Sequence, residues 1–338
     1  MTNHPCGAHL VGSIPLANTH AALDTVARVL GKHVQRLPDG ETGERSNWIR
    51  WQEKVFANVE ALEVTYSDPF RSVFGLKRDR SIDQIELPPL GYADAALDSF
   101  SIFSTMQQEG RFADGMRFQV ALPTPLAPVQ FYIDATIQSD FEPLYEKKLL
   151  EELGIIADSI PHDRLAVQWD TAVEFGVLEG TFPAFFGDKI SAILARLTRL
   201  GNAIPDTIEL GFHLCYGDSG HKHFVEPRDT TLLVNVANGI AGGIDRALNW
   251  LHLPVPRDRS DDEYFKPLSD LALNENTELY LGLIHMTDGA AGARRRIETA
   301  KRFVSKFGIA TECGFGRRPG ETVDELMQMH ADLADPIT

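Results

Sequence analysis

Three cysteines, Cys6, Cys215 and Cys313, stand among the 338 residues, and two of them sit where a metal is expected. His213-Leu214-Cys215 has period-two spacing, which on a strand turns both side chains to one face. Cys313 lies near the end of another apolar run, 309–316. Thiolates beside an imidazole form a soft donor set that selects zinc over oxygen-loving metals. Three ligands with a fourth place open or exchangeable describe a catalytic zinc rather than a structural one. The competing reading makes both cysteines small core residues, a common fate of that side chain; their position at strand ends favours the metal. Three thiols are too few for a disulfide framework.

Other polar groups fall at the ends of apolar runs in the same way: Ser13, Asp39 with Glu41, Thr124, Asp170, His252, His285 and Glu312. His285 follows the run 279–284, where an acid or base would reach a bound substrate, and a histidine titrates near neutrality. A hydrogen-bonded packing histidine is the alternative. His252 carries the same ambiguity and is in addition a candidate fourth ligand. Asp170 and Glu41 are candidates to bind an ammonium or hydroxyl group, with Ser13 and Thr124 beside them as substrate-binding groups. A buried carboxylate needs a charge partner or several donors, and Arg45, Arg317 and Arg318 are available for that role. His221 and His223 fall in a Gly-His-Lys-His-Phe loop and are read as solvated groups, with a lid as the alternative.

Groups so far apart in sequence meet only if the fold brings strand ends together. Eight short apolar runs, 8–15, 34–41, 116–126, 165–172, 208–215, 244–254, 279–287 and 309–316, read as buried parallel strands. Helical patterns lie between them, as at 141–159 and 189–200. Ser139 with Asp140, Asp229 with Thr230, and Asp288 with Gly289 stand as helix start signals. The alternation predicts an α/β fold, a single (β/α)8 TIM barrel over 1–338, whose strand ends share one mouth. The stretches 42–114 and 218–229 are longer than barrel loops require, and the first must hold more than one helix.

Composition narrows the partners. A net charge of -16, from 48 acidic and 32 basic residues, repels phosphate backbones, so nucleic acid is not expected. Arg294, Arg295 and Arg296 are read as the wet face of a helix. Neither a secretory start at Met1 to His4 nor an apolar run of membrane-spanning length is seen, so no membrane partner and a cytoplasmic location are expected. The expected partner is a small-molecule substrate.

The residues resemble the catalytic barrel of cobalamin-independent methionine synthase, within the superfamily that includes uroporphyrinogen decarboxylase and the epoxyalkane:coenzyme M transferases. The resemblance runs, at motif level over most of the chain, through Val11-Gly12-Ser13-Ile14-Pro15, Asp39-Gly40-Glu41, Pro128-Val129, Gln168-Trp169-Asp170, His213-Leu214-Cys215-Tyr216, Ile284-His285 and Glu312-Cys313-Gly314. It implies zinc on His213, Cys215 and Cys313, a substrate ammonium on Asp170 and Glu41, and His285 as the acid/base residue. His252 stands where the family places a glutamate ligand, and the 217–223 loop departs from the family's short turn. The expected activity is a zinc-dependent methyl or alkyl transfer to a small thiol. A metal-dependent lyase or hydrolase is the second reading, and a non-catalytic metal-binding protein the third.

Overall fold

In the computed structural model, residues 5–337 apart from 219 and 221 are described, so His221 and the segment 1–4 lie outside the described residues. Nine strands form: β1 (Arg36–Pro38), β2 (Leu62–Ser67), β3 (Ser72–Leu76), β4 (Arg117–Pro123), β5 (Leu165–Thr171), β6 (Glu209–Leu214), β7 (Trp250–Pro254), β8 (Glu278–Ile284) and β9 (Gly308–Thr311). Seven of them make one curled parallel sheet in the order β1-β4-β5-β6-β7-β8-β9. Every residue of β5 and β7 is buried, as expected of parallel strands covered on both faces. The helices that cover the sheet include Gln138–Ser159 and Lys189–Asn202, close to the expected spans.

The closed eight-stranded barrel is met in part. The run 8–15 forms no ladder; Ala8 bridges Ile309 and Ser13 bridges Gly40, so the segment touches β9 at one end and the chain after β1 at the other. Side chains replace the missing ladder. Gln119 donates to the carbonyls of Leu10 and Val11, each at 3.0 Å, and Gln168 donates to Val11 at 2.7 Å. Those bonds let an irregular backbone be buried without orphaned acceptors. The expected strand over 244–254 begins only at Trp250.

The stretch 42–114 does hold two α-helices, Gln52–Ala57 and Tyr92–Gln108, and also the antiparallel hairpin of β2 and β3, which was not expected. After Leu62 every residue of β2 is exposed, so the pattern carries no burial signal. Two further expectations are corrected. Ser139 and Asp140 lie inside the first turn of a helix that starts at Gln138. Arg296 is not on a wet face: it is 1 % exposed, donates to the Leu283 carbonyl and pairs with Asp288 at 2.7 Å, while Arg294 and Arg295 are exposed. Asp229 does mark a helix start, accepting from the Thr231 N–H at 2.8 Å. Among the described residues no helix is long and apolar enough to cross a membrane.

Candidate metal centre and substrate cavity

Parallel register sets the site. Pro123, Asp170, His213, His252 and Tyr280 are successive partners across β4 to β8, so residues distant in sequence form one row. His213 lies on β6, Cys215 immediately follows it with its N–H held by the Thr171 carbonyl at 2.8 Å, and Cys313 follows β9. The two sulfurs are 3.9 Å apart, and the ligand atoms of His213, Cys215 and Cys313 all lie within 4.8 Å of one another.

Their environment suits a soft cation. Burial, with His252 and His9 nearby, pulls the His213 pKa well below its usual value, so the ring is neutral and its lone pair available. Its Nε2 is buried with no hydrogen-bond partner, an orphan that a bound cation would satisfy. The bond with Cys215, then burial, push the Cys313 thiol up; a cation at the pair reverses that preference by taking the thiolates as ligands. The N–H of Gly217 donates to the Cys215 sulfur at 3.2 Å.

These three residues line a cavity of about 480 Å³, and Ser13, Glu41 and Asp170 line it too. Asp170 is buried and accepts from Gln168 at 2.9 Å; burial first and Glu41 second push its pKa well up. Glu41 is raised to about 7 by burial and by Asp39, with Arg45 and Arg317 opposing. Among the described residues no arginine pairs with Asp170: Arg45 is bound to Asp39 at 2.6 Å, Arg317 stands 3.9 Å from Asp218, and Arg318 stands 3.7 Å from Glu312.

Three expected site residues do not reach this cavity. Thr124 is buried, and its hydroxyl donates to Glu174 at 2.5 Å. His252 lies outside the group formed by His213, Cys215 and Cys313: its Nδ1 meets His213 Nδ1 at 2.6 Å and its Nε2 meets the Thr311 carbonyl at 3.0 Å. His285 donates to the Val255 carbonyl at 2.9 Å and faces Glu312 at 3.5 Å. In exchange His223, read from sequence as solvated, lines the cavity with a buried side chain, 3.2 Å from Glu226 and 3.5 Å from Glu312. Glu312 is thus shared by His223, His285 and Arg318; burial raises its pKa, but these neighbours outweigh burial and hold it below the ordinary value. The chain folds back beside His223 through Phe224 N–H to the Tyr216 carbonyl at 2.9 Å.

No family model matches the sequence, and no curated protein does. Solved structures do. A B12-independent methionine synthase from Shewanella sp. W3-18-1, in complex with selenomethionine, aligns at a TM-score of 0.62 and 14% identity over 97% of this chain and 96% of that one. A Listeria monocytogenes protein described as a vitamin-B12-independent methionine synthase aligns at 0.58 and 13% over 99% and 100%. A methyltransferase from Methanosarcina mazei aligns at 0.55 and 10% over 98% and 94%. At these identities the likeness is one of fold, and it agrees with the motif resemblance in the sequence: the chain has the fold of the B12-independent methionine synthases.

Proposed function

We propose that this protein is a zinc-dependent transferase that moves a methyl or other alkyl group to a small thiol carrying an ammonium group. In this reading the segment 8–15 closes the sheet into a (β/α)8 barrel that spans the chain as one domain. The observation that carries the function is that His213, Cys215 and Cys313 line the same cavity as Asp170 and Glu41. A soft cation site and a cation receptor in one cavity suit a molecule with a sulfur at one end and an amine at the other. The selenomethionine held by the Shewanella protein has an amine at one end and selenium where that sulfur would stand.

Zinc bound by the three side chains would lower the pKa of a substrate thiol and keep its sulfur nucleophilic, so that a new S–C bond forms as the carbon–heteroatom bond of an alkyl donor breaks and the donor's heteroatom leaves with the electron pair. The remaining work belongs to the chain. Asp170 and Glu41 fix the amine and so the direction of the sulfur, which turns an encounter into an oriented reaction. Trp48, Phe131 and Phe182 give the cavity part of an apolar wall. On that wall Glu226 holds His223 Nδ1 at 3.2 Å, and the ring's Nε2, buried without a hydrogen-bond partner and 3.5 Å from Glu312, is the nitrogen left to accept the proton the thiol gives up. His285 supports Glu312 from behind.

A lyase or hydrolase on this site would use His252 as a second imidazole ligand, and the contacts of its two ring nitrogens with His213 and Thr311 favour the transferase instead. The test is elemental analysis of untagged protein, then titration of the cobalt-substituted form with thiols and with oxygen analogues. About one zinc per chain and a spectral response to thiols alone are expected. A metal content near zero, or equal responses to both panels, would sink this reading.

A further inference from the structure

Strand β7 sets His252 directly opposite His213 on β6, and the two rings meet Nδ1 to Nδ1. The other ring nitrogen of His252, Nε2, faces the carbonyl oxygen of Thr311. A carbonyl only accepts, so that nitrogen carries the hydrogen. A neutral imidazole has one N–H; Nδ1 of His252 is therefore an acceptor, and Nδ1 of His213 must be the donor. One lone pair remains on His213, at Nε2, the atom left without a hydrogen-bond partner in the group with Cys215 and Cys313.

We propose that His252 is a positioning residue: it fixes His213 as the Nδ1–H tautomer and aims the Nε2 lone pair at the space beside the two sulfurs, without being a ligand itself. The relay also ties the two halves of the centre together. Thr311 is the last residue of β9, its hydroxyl donates to the Cys313 carbonyl at 2.6 Å, and its own carbonyl anchors His252. The orientation of His213 on β6 is thus referred to the strand that places Cys313. For His252 to coordinate, its ring would have to turn and leave both the Thr311 carbonyl and the His213 N–H unpaired in a buried site.

This inference rests on the metal reading above, and one set of measurements separates the two. Zinc affinity is measured by competition with a chelator for the wild type, His252→Leu and His252→Gln, together with the cobalt absorption spectrum and the ring-nitrogen NMR spectrum of the histidines. The wild type is expected to show His213 as the Nδ1–H tautomer. The leucine variant should bind zinc roughly 10–100-fold more weakly, the usual effect of losing the group that orients a ligand, with unchanged stoichiometry and unchanged cobalt bands. Glutamine, whose amide oxygen can accept from His213, should recover much of the loss. Leucine binding as tightly as wild type would overturn the proposal, as would cobalt bands reporting a lost ligand. Should the leucine variant not fold, the wild-type ring spectrum decides, because His213 protonated at Nε2 is incompatible with the relay. A wild type that takes up no zinc would instead overturn the metal reading, an outcome distinct from zinc binding that ignores His252.

Discussion

Glu41 and Asp170 are where residue-level electrostatics make contact with function. A free Glu41 titrating at about 7 is partly protonated near neutrality, and an ammonium group beside it favours the ionised form. Binding of an amine therefore expels a proton at and below that pH. Affinity for an α-amino acid without a thiol, such as 2-aminobutyrate, is expected to climb as pH rises through about 7, where Glu41 gives up its proton. Calorimetry in buffers of different ionisation heat reads the released proton, and Glu41→Gln should reduce it, leaving the part that belongs to Asp170; an undiminished release from the variant would assign the titration elsewhere. The sign is opposite for folding. With its folded pKa raised above the ordinary carboxylate range to about 7, Glu41 contributes stability that is present at low pH and lost as pH rises toward about 7. At the metal, Cys215→Ser replaces a soft donor by a hard one and should reduce the zinc retained through dialysis against chelator, without unfolding the chain. Retention equal to wild type would return Cys215 to a packing role.

At the scale of elements, the strands act as a ruler. Asp170, His213 and His252 stand side by side because β5, β6 and β7 pair in parallel register, and a slip of one residue would turn each to the opposite face. Gly282 shows how tightly the late strands are set. A methyl group there would fall 2.8 Å from Cα of Glu312 and 2.9 Å from the Thr311 carbonyl, at the point where the register of β8 on β9 shifts. Backbone cannot yield as a side-chain tip can. Gly282→Ala should therefore destabilise by ~1–3 kcal/mol and also weaken metal retention, because it displaces the segment carrying Cys313. Gly115→Ala, with nothing within 4 Å of the added atom, is the control. Thermal unfolding and zinc content of the two variants check this; a Gly282→Ala protein with normal zinc content would show that β8 and the Cys313 segment move independently. Gly12 differs, because a methyl there would sit 2.8 Å from Glu41 Oε1, a side-chain tip that can move away.

Across the whole molecule, the proposed metal site is a small feature on a large core. Buried apolar residues form a cluster reaching from Ala8 to Ala334, and the three candidate ligands sit at strand ends rather than at its centre. Removing the metal is expected to leave the fold intact, unlike small domains that a structural zinc holds together. Stability should then depend on free zinc by mass action, by ~4 kcal/mol at a thousandfold excess over Kd. Circular dichroism after chelation, followed by melting at graded zinc concentrations, checks both statements. Loss of secondary structure on chelation would make the site a structural one.

The sequence alone determined what depends on local pattern. Alternating apolar runs and helical stripes specify a parallel α/β sheet, and the period-two His213-Leu214-Cys215 pair puts two donors on one face of β6. Strand ends that share a mouth made Cys313, Asp170 and Glu41 legible as neighbours, because the fold class itself implies their convergence. Only the tertiary structure decided which strand-end groups face the cavity. His252, His285 and Thr124 occupy the same sequence context as His213 and Asp170, yet their polar atoms are taken up by Thr311, Val255, Glu312 and Glu174. Such bonds join residues tens of positions apart, and no periodicity encodes them. His223 was hidden for the converse reason: a polar loop looks solvated until the Phe224 to Tyr216 bond folds it over the cavity. The hairpin of β2 and β3 and the irregular segment 8–15 were hidden too, since one has little buried pattern and the other is held by Gln119 and Gln168 rather than by a ladder.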